Sequence, residues 1–486
     1  MEFAIALDVE SNVPLHRQVY EAFRQLILAG KLSPKQRLPS TRTLAKSLAI
    51  SRATAVQSYE QLISEGYLQT VGGAGTYVCD RLPEDLLHSK PIEQSKIYCA
   101  ADNLSLSTYG ASLITDAPLY SSRLALPIEF RYGQPALDAF PLNLWRQLIS
   151  RHCRHDRLML DYANDSLGYQ PLREAIARYL IQSRAVQCNA DQVLIVSGSQ
   201  QALDLVSRVA IDRGDGIAVE DPGYLGARHV FLSQGAKLYP LPVDRSGMLV
   251  EKLSQHSPHI KLVYVTPSHQ FPTGAVLSLS RRLELLAWAE QAGVLIIEDD
   301  YDSEFRYEGR PIPALQGLDR TGSVVYIGTF SKVLFPSLRI AYLVVPPRLV
   351  NVFARAKWLA DRQSPLLEQY VLADFINEGH LERHIRRMKA LYDGRRQALV
   401  RSLITYFGDR VTILGENAGM HLMVRLSTNL SDHIIIERAA GVGVGLVSAR
   451  QYYLENVSTG EFVLGYADLN ATEIEIGVQK LAAVID

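Results

Sequence analysis

Val324-Val325-Tyr326-Ile327-Gly328-Thr329-Phe330-Ser331-Lys332, with Arg339 seven residues further on, is the stretch around which the chain is organised. A short apolar run bounded by glycine and hydroxyl residues has the length and composition of a buried strand. It brings a lysine to the strand's end, beside Thr329 and Ser331 and among the apolar Phe330, Val333, Leu334 and Phe335. A desolvated lysine is a candidate imine-forming nucleophile, and the Arg339 guanidinium is a fork for a neighbouring anion. A surface lysine at a strand end is the plainer reading; the apolar neighbours, the hydroxyls and Arg339 weigh against it.

Similar apolar runs lie at Val193–Val196, Ile217–Val219, Leu262–Val265, Val294–Ile297 and Ile340–Val345. Helical stretches such as Gln200–Ala210 and Ser280–Ala292 separate several of them. This alternation predicts an α/β fold, a mostly parallel sheet covered by helices on both faces. Such sheets bind ligands beyond the carboxyl ends of their strands, where the candidate residues fall. Ser197-Gly198-Ser199-Gln200-Gln201 turns from strand into helix, and the free N–H groups and hydroxyls there suit a phosphate. An ordinary capped turn has the same form. Glu298-Asp299-Asp300-Tyr301 closes another strand. A carboxylate there suits a protonated pyridine nitrogen, and a tyrosine two residues on suits a ring hydroxyl; acids at a loop mouth explain Asp299 taken alone. Imine lysine, phosphate turn and pyridine-facing acid together point to pyridoxal 5'-phosphate as cofactor.

The first 79 residues follow another pattern. Leu15, Val19, Phe23, Leu26 and Ile27 share one helical face over residues 14–29, and Gly30 ends the helix. Ser40 caps a second helix with Leu44, Ala45 and Leu48 inward; Ser51 caps a third with Ala55, Val56, Tyr59, Leu62 and Ile63 inward. Tyr67–Val71, a glycine turn at 72–75 and Thr76–Val78 read as a two-stranded wing. Helix, turn, helix, wing is a DNA-reading order. It places Ser40, Thr41, Arg42, Ser51, Arg52, Thr54 and Gln57 toward the duplex, with Arg52 suited to guanine or phosphate and Gln57 to a base edge. A small three-helix domain with a polar surface is the plainer alternative. Residues 14–58 hold eight basic side chains and one acidic, a local net charge of +7 inside a chain whose total is −1; such a patch meets phosphates.

The residues Pro34-Lys35-Gln36-Arg37-Leu38-Pro39-Ser40-Thr41-Arg42-Thr43-Leu44-Ala45, Ser51-Arg52-Ala53-Thr54-Ala55-Val56, Tyr59 and Leu62 resemble a GntR-type winged helix–turn–helix. Two departures stand out. Lys35 takes the place of a customary glycine, and the wing lacks a basic residue before its glycines.

A chain of 486 residues is expected to hold two or three domains. The boundaries read as 1–79 for the DNA-binding head, 80–125 for a proline-, serine- and asparagine-rich linker, and 126–486 for the sheet domain. Leu104 to Leu113 could alternatively pack on one of the domains. Hydrophobic and charged shares of 47% and 21% are those of a soluble globular protein. No run approaches the roughly 18 to 20 apolar residues of a membrane span, and Met1-Glu2-Phe3-Ala4 lacks a signal peptide's basic start. Cys79, Cys99, Cys153 and Cys188 are scattered without metal spacing, as in a reduced, cytoplasmic protein, and no metal site is expected.

Residues 126–486 resemble a fold-type I pyridoxal-phosphate enzyme of the aminotransferase class. The resemblance rests on Gly133-Gln134-Pro135, Tyr162 through Gly168, Leu172-Arg173, Ser197 through Gln201, Glu220-Asp221-Pro222-Gly223-Tyr224, Thr266-Pro267-Ser268-His269-Gln270-Phe271-Pro272-Thr273-Gly274, Glu298 through Tyr301, Ser331-Lys332 and Arg339. With the head, the whole chain resembles a MocR-type regulator of the GntR superfamily. The resemblance implies a mostly parallel seven-stranded sheet and a homodimer, with domain swapping between partners. Lys332 would form the internal aldimine. Asp299 would pair with the pyridine nitrogen, Tyr301 with the ring oxygen, and Tyr224 would stack on the ring. Ser199, Gln200, Ser331 and Arg339 would hold the phosphate, and Tyr162 would reach the phosphate of the partner. Phe271 stands where aminotransferases place an asparagine on the ring oxygen, with His269 or Gln270 as substitutes. Val463 stands where relatives carry an arginine for the substrate carboxylate, with Arg450 as the replacement candidate.

The implied function is a pyridoxal-phosphate-dependent transcriptional regulator. It would bind double-stranded operator DNA and sense an amine, an amino acid or a B6 vitamer, with any turnover confined to an aminotransferase-like half-reaction. A working aminotransferase with an appended DNA-binding head is the alternative. A DNA-binding protein whose sheet domain never takes the cofactor is a third reading.

Overall fold

The computed structural model describes residues 5, 7–8, 11, 13–83, 105–112, 126–155, 161–162, 165–309, 312–455 and 458–485. The chain divides into two compact units, 1–106 and 107–486.

In the first unit, helices α1 (Leu15–Leu28), α2 (Thr41–Ser47) and α3 (Arg52–Ser64) are followed by strands β1 (Leu68–Val71) and β2 (Gly75–Val78). The Ser40 and Ser51 hydroxyls accept from the Thr43 and Thr54 backbone N–H at 3.2 and 3.0 Å, so both expected caps are formed. Val19, Phe23, Leu44, Ala55, Leu62, Leu68 and Val78 close a core from all five elements. The wing pairs Leu68 with Val78 and Val71 with Gly75, antiparallel. Residues 35–38 join it: the Lys35 and Leu38 N–H groups donate to the Val78 and Thr76 carbonyls, and the Val78 N–H to that of Gln36. Leu82 also packs against this core. Most of the expected linker (84–104 and 113–125) and both ends of the Leu104-to-Leu113 alternative lie outside the described residues. A five-residue helix occupies Thr108–Ser112.

That helix belongs to the second unit, whose first strand is β3 (Ile128–Glu129). Its large sheet comprises β4 (Val193–Val196), β5 (Gly216–Asp221), β6 (Lys237–Asp244), β7 (Gly247–Met248), β8 (Ile260–Val265), β9 (Leu295–Asp300), β10 (Val324–Thr329) and β11 (Ala341–Val344). Their spatial order is β4-β11-β10-β9-β8-β5-β6-β7. The pairs β10/β9, β9/β8, β8/β5 and β5/β6 are parallel; β11 runs antiparallel to both neighbours. The expectation of seven strands is corrected to eight, because β6 turns back at Arg245-Ser246 into the two-residue β7. Strand β6 escapes the apolar-run reading because Pro240 and Pro242 interrupt it. It lies near the edge, where a proline's missing N–H is tolerated.

Strands β12 (Val411–Leu414), β13 (His421–Leu426), β15 (Val447–Ser448) and β16 (Glu461–Gly465) form an antiparallel sheet in the order β12-β13-β16-β15; β14 (Val444–Gly445) pairs with β3. The helices His380–Phe407 and Ala471–Ile485 cover this layer through Leu399, Leu403, Ile474 and Val478. Strands β4, β5 and β8 to β11 are almost wholly buried, as a sheet covered on both faces requires.

Candidate functional site

The carboxyl ends of β4, β5, β8, β9 and β10 open on one cavity of about 340 Å3, within the size range of small-ligand sites. Because β11 is antiparallel, its first residues lie at this same edge, with Thr329 opposite Ala341. That reversal carries Arg339 to the strand ends.

Lys332 reaches the cavity from the turn after β10, and its Nζ donates to the Gly133 carbonyl at 2.9 Å. A Cβ on Gly133 would stand 2.5 Å from that Nζ, so this position must be glycine for the lysine to lie there. Burial holds the Lys332 pKa down, opposed by the Asp302 and Asp299 carboxylates.

Asp299, at the end of β9, accepts from the Tyr264 hydroxyl through Oδ2 at 2.8 Å. Burial pushes its pKa up to about 6. Its Oδ1 is buried without a partner, and so is the Ser331 hydroxyl on the same wall. Unpaired buried polar atoms cost free energy, and two of them beside the lysine mark places for a ligand. Around Ser331, Gly198 (φ 105°) leads into the helix Ser199–Ala210, and Arg339 donates to the Ser197 carbonyl at 2.7 Å. A Cβ on Gly198 would lie 2.5 Å from the Arg339 guanidinium. Free helix N–H groups, two hydroxyls and a guanidinium form a cradle for a phosphate. Gln200 also lines it and donates to the Tyr224 hydroxyl at 3.1 Å.

The wall brings together Ser199, Gln200, Tyr224, Asp299, Tyr301, Ser331, Lys332 and Arg339 of the expected set. Four other candidates stand elsewhere. His269 lies behind the wall, with Nδ1 at 3.0 and 3.1 Å from the two Asp302 oxygens and 3.1 Å from the Tyr301 hydroxyl. An ionised carboxylate only accepts, so Nδ1 carries the proton; the Tyr301 oxygen then accepts as well, and its own O–H is free to donate into the cavity. Gln270 is likewise turned away, donating to the Pro222 and Phe271 carbonyls. Tyr162 is 66% exposed and lies against the Arg362 guanidinium. Arg450 lines a different, largely apolar cavity with Glu129, Arg131 and His433.

Gln134 and Thr266, from stretches that carried the resemblance, also line the wall, as do Tyr132, Tyr264, Asp302, Met420 and His421, which were not singled out in the sequence. Only Asp302 had a signal there, as the next acid after Tyr301. His269, Asp302 and His421 are close enough for a metal ion, but His269 and Asp302 already bond each other.

In the head, Arg42, Arg52 and Gln57 are exposed, while the Thr54 hydroxyl is paired with that of Ser51 at 2.8 Å. A basic side chain from outside the wing's own strands, that of Arg37, lies beside it. Its guanidinium lies against Gly75, with Nε 3.1 Å from where a Cβ would stand.

A family model for aminotransferase class I and II matches residues 136–481, and one for bacterial regulatory proteins of the gntR family matches residues 15–78. The chain is 40% identical over 477 residues to a probable rhizopine catabolism regulatory protein of Rhizobium meliloti, covering 98% of this chain and 95% of that one. Among solved structures it resembles the multiple substrate aminotransferase of Thermococcus profundus (30% identity, TM-score 0.72, covering 78% of this chain and 97% of that one). It also resembles the alpha-aminoadipate aminotransferase of Thermus thermophilus, solved with N-(5'-phosphopyridoxyl)-L-leucine (28% identity, TM-score 0.68, covering 78% and 94%). The cavity residues fit pyridoxal phosphate: the unpaired Asp299 oxygen suits its ring nitrogen, and the unpaired Ser331 hydroxyl its phosphate. The chain belongs to the helix–turn–helix transcriptional regulators that join a GntR-family DNA-binding head to a pyridoxal-phosphate-binding aminotransferase class I and II domain.

Proposed function

We propose that this regulator senses a small amine, amino acid or B6 vitamer at the cavity above and converts its binding into a change in operator affinity. One observation carries the reading. Two unpaired buried groups, Asp299 Oδ1 and Ser331 Oγ, line the same wall as a desolvated lysine in a chain that also has a DNA-binding head. The cofactor, when bound, supplies an aldehyde carbon that a primary amine can capture. Lys332 would be the residue that holds that carbon, and its depressed pKa favours the nucleophilic free amine. Asp299 keeps the ring nitrogen protonated, and Tyr264 keeps Asp299 in place. Tyr301, with its O–H released by His269, donates to the ring oxygen; His269 acts through Tyr301 as a positioning residue. Ser199, Gln200, Ser331 and Arg339 anchor the phosphate, and Tyr224 covers the ring.

Arg42, Arg52, Gln57 and the remaining polar residues of α2 and α3 meet the duplex, and Ser40 and Ser51 order the helix ends that present them. The protein acts in the cytoplasm as a homodimer, whose two heads match a repeated operator. Tyr162, exposed and outside its own chain's cavity, reaches the partner's phosphate. Linkage demands that a ligand altering DNA affinity be itself altered in affinity by DNA, by the same factor.

The experiment loads the full chain with pyridoxal phosphate. It titrates amines, amino acids and B6 vitamers while following the visible absorption band and, in parallel, operator affinity. One compound is expected to change both. Operator affinity indifferent to every compound that moves the band would overturn the sensor reading, and sustained turnover with a keto acid would favour the aminotransferase alternative.

A further inference from the structure

We infer that Arg184, which does not line the cavity, is a positioning residue for the cofactor: it neutralises Asp300 and ties the end of β9 to the loop that carries His269, and so governs the carboxylate of Asp299. The inference rests on the reading above, in which Asp299 meets the ring nitrogen.

Successive strand residues face opposite sides of a sheet. Asp299 lines the cavity; Asp300, the next residue of β9, does not. The Asp300 Oδ2 accepts from Arg184 Nε at 2.8 Å and from the Tyr326 hydroxyl at 2.7 Å. The Arg184 and Asp300 side chains are only 5% and 2% exposed, so solvent does little to screen them. Arg184 is the last residue of the helix Gln170–Arg184, and its carbonyl accepts from the Ala314 N–H at 2.9 Å. Its guanidinium makes two further bonds, from Nη2 to the Ser268 hydroxyl at 2.7 Å and from Nη1 to the Ile312 carbonyl at 2.5 Å. Ser268 precedes His269, which bonds the Tyr301 hydroxyl. One planar fork thus joins the end of β9, the loop after β8 and the segment that leads to β10. An ammonium, a single point charge, does not span those three directions.

Asp299 faces Lys332 from the turn after β10, Tyr264 from β8, Glu220 at the end of β5, and Asp300 and Asp302 of its own segment. Burial does most to disfavour its anion; Asp300 and Asp302 add to that, while Tyr264 and Lys332 oppose it. Together Arg184 and Asp300 carry no net charge. Apart, they act on Asp299 with opposite sign, since an acid neighbour disfavours a carboxylate anion and a cation favours it. Other charges near Arg184, among them Glu298, Glu304, Arg282 and Arg306, are the same in every variant below.

The test follows the dissociation constant of pyridoxal phosphate against pH, by absorption titration of the cofactor-free full chain. The melting temperature of each cofactor-free variant shows that it is folded. In Asp300→Asn the amide oxygen still accepts from Arg184 and Tyr326, and the Arg184 charge is left unbalanced. The pH below which affinity falls is then expected about one unit lower than in the wild type. Arg184→Met combined with Asp300→Asn removes both charges, a replacement that buried ion pairs tolerate, and should return that pH to the wild-type value. Arg184→Lys keeps the charge but gives up the bonds to Ser268 and Ile312; the pH should stay, and affinity above it should drop about tenfold. An unshifted Asp300→Asn overturns the proposal. So does a double variant that titrates like Asp300→Asn, because Arg184 is then not felt at Asp299, and so does an Arg184→Lys variant with wild-type affinity. In each of these cases the assignment of Asp299 survives. An Asp299→Asn variant that keeps the wild-type pH dependence removes Asp299 from the ring nitrogen, and this proposal with it.

Discussion

The Tyr264 hydroxyl donates to Asp299 Oδ2 at 2.8 Å, so the carboxylate is held by one oxygen and keeps the other buried and unpaired at the cavity wall. Strand β8 thus steadies the acid that β9 presents. Tyr264→Phe keeps the ring in the core and removes only this bond. A hydrogen bond to a charged group contributes roughly 1.5–3 kcal/mol. Pyridoxal phosphate should therefore bind about 10- to 100-fold more weakly, read by absorption titration of the cofactor-free protein. An unchanged dissociation constant would remove Tyr264 from the site.

Burial raises the Asp299 pKa to about 6. Its anion, which pairs with a protonated ring nitrogen, prevails above that pH. Below it, cofactor binding must release the carboxyl proton, so affinity should fall about tenfold per pH unit as pH drops under 6. Asp299→Asn should bind weakly at every pH and lose this slope. A wild-type slope retained in that variant would assign it to another group.

Lys332 Nζ is the amine that the cavity buries next to Asp299. Lys332→Ala should abolish the imine absorption band while leaving basal operator binding intact, since the head forms its own core. A persistent band in this variant would place the imine on a different lysine.

Lys35 adopts φ 63°, the left-handed region, at the position suited to glycine. That conformation costs a non-glycine residue roughly 1–2 kcal/mol. Lys35→Gly recovers it, offset by about 0.4–1 kcal/mol of extra freedom in the unfolded chain. The exposed Lys35–Asp80 pair at 3.0 Å adds little. The variant should slow hydrogen exchange of the head's amides about twofold or more, whereas Lys35→Val should speed it.

Arg52 lies exposed at the start of α3, and Arg37 lies over the wing glycine. Arg52→Ala should weaken operator binding by about 1–3 kcal/mol without altering cofactor colour. Arg37→Ala should weaken binding to all duplexes alike and lower the slope of log affinity against log salt by about 1. An Arg37 variant with wild-type salt dependence would leave the wing without a phosphate contact.

Local pattern alone determined most of this architecture. Ser40 and Ser51 announce helix starts because a hydroxyl before an apolar-periodic run caps free N–H groups, and both caps are formed. The runs ending at Val196, Val265 and Ile327 read as buried strands because both sheet faces are covered. Lys332, Asp299 and Ser199 were legible because each follows or closes such a run, and Arg339 because it stands just before one. What the tertiary structure decided is what meets at the strand ends. Tyr264, Asp302, Tyr132 and His421 come from four separate segments, and nothing in the spacing of any one of them tells that the fold will bring them to one wall. His269 lies in a motif that suggests a ring contact, yet packing sets it behind Tyr301 and Asp302, where it bonds both. Arg37 reaches the wing only because residues 35–38 pair with β2. Residue type and short-range period carry secondary structure; the identity of neighbours across a cavity depends on strand order and on one reversed strand, which no local window contains.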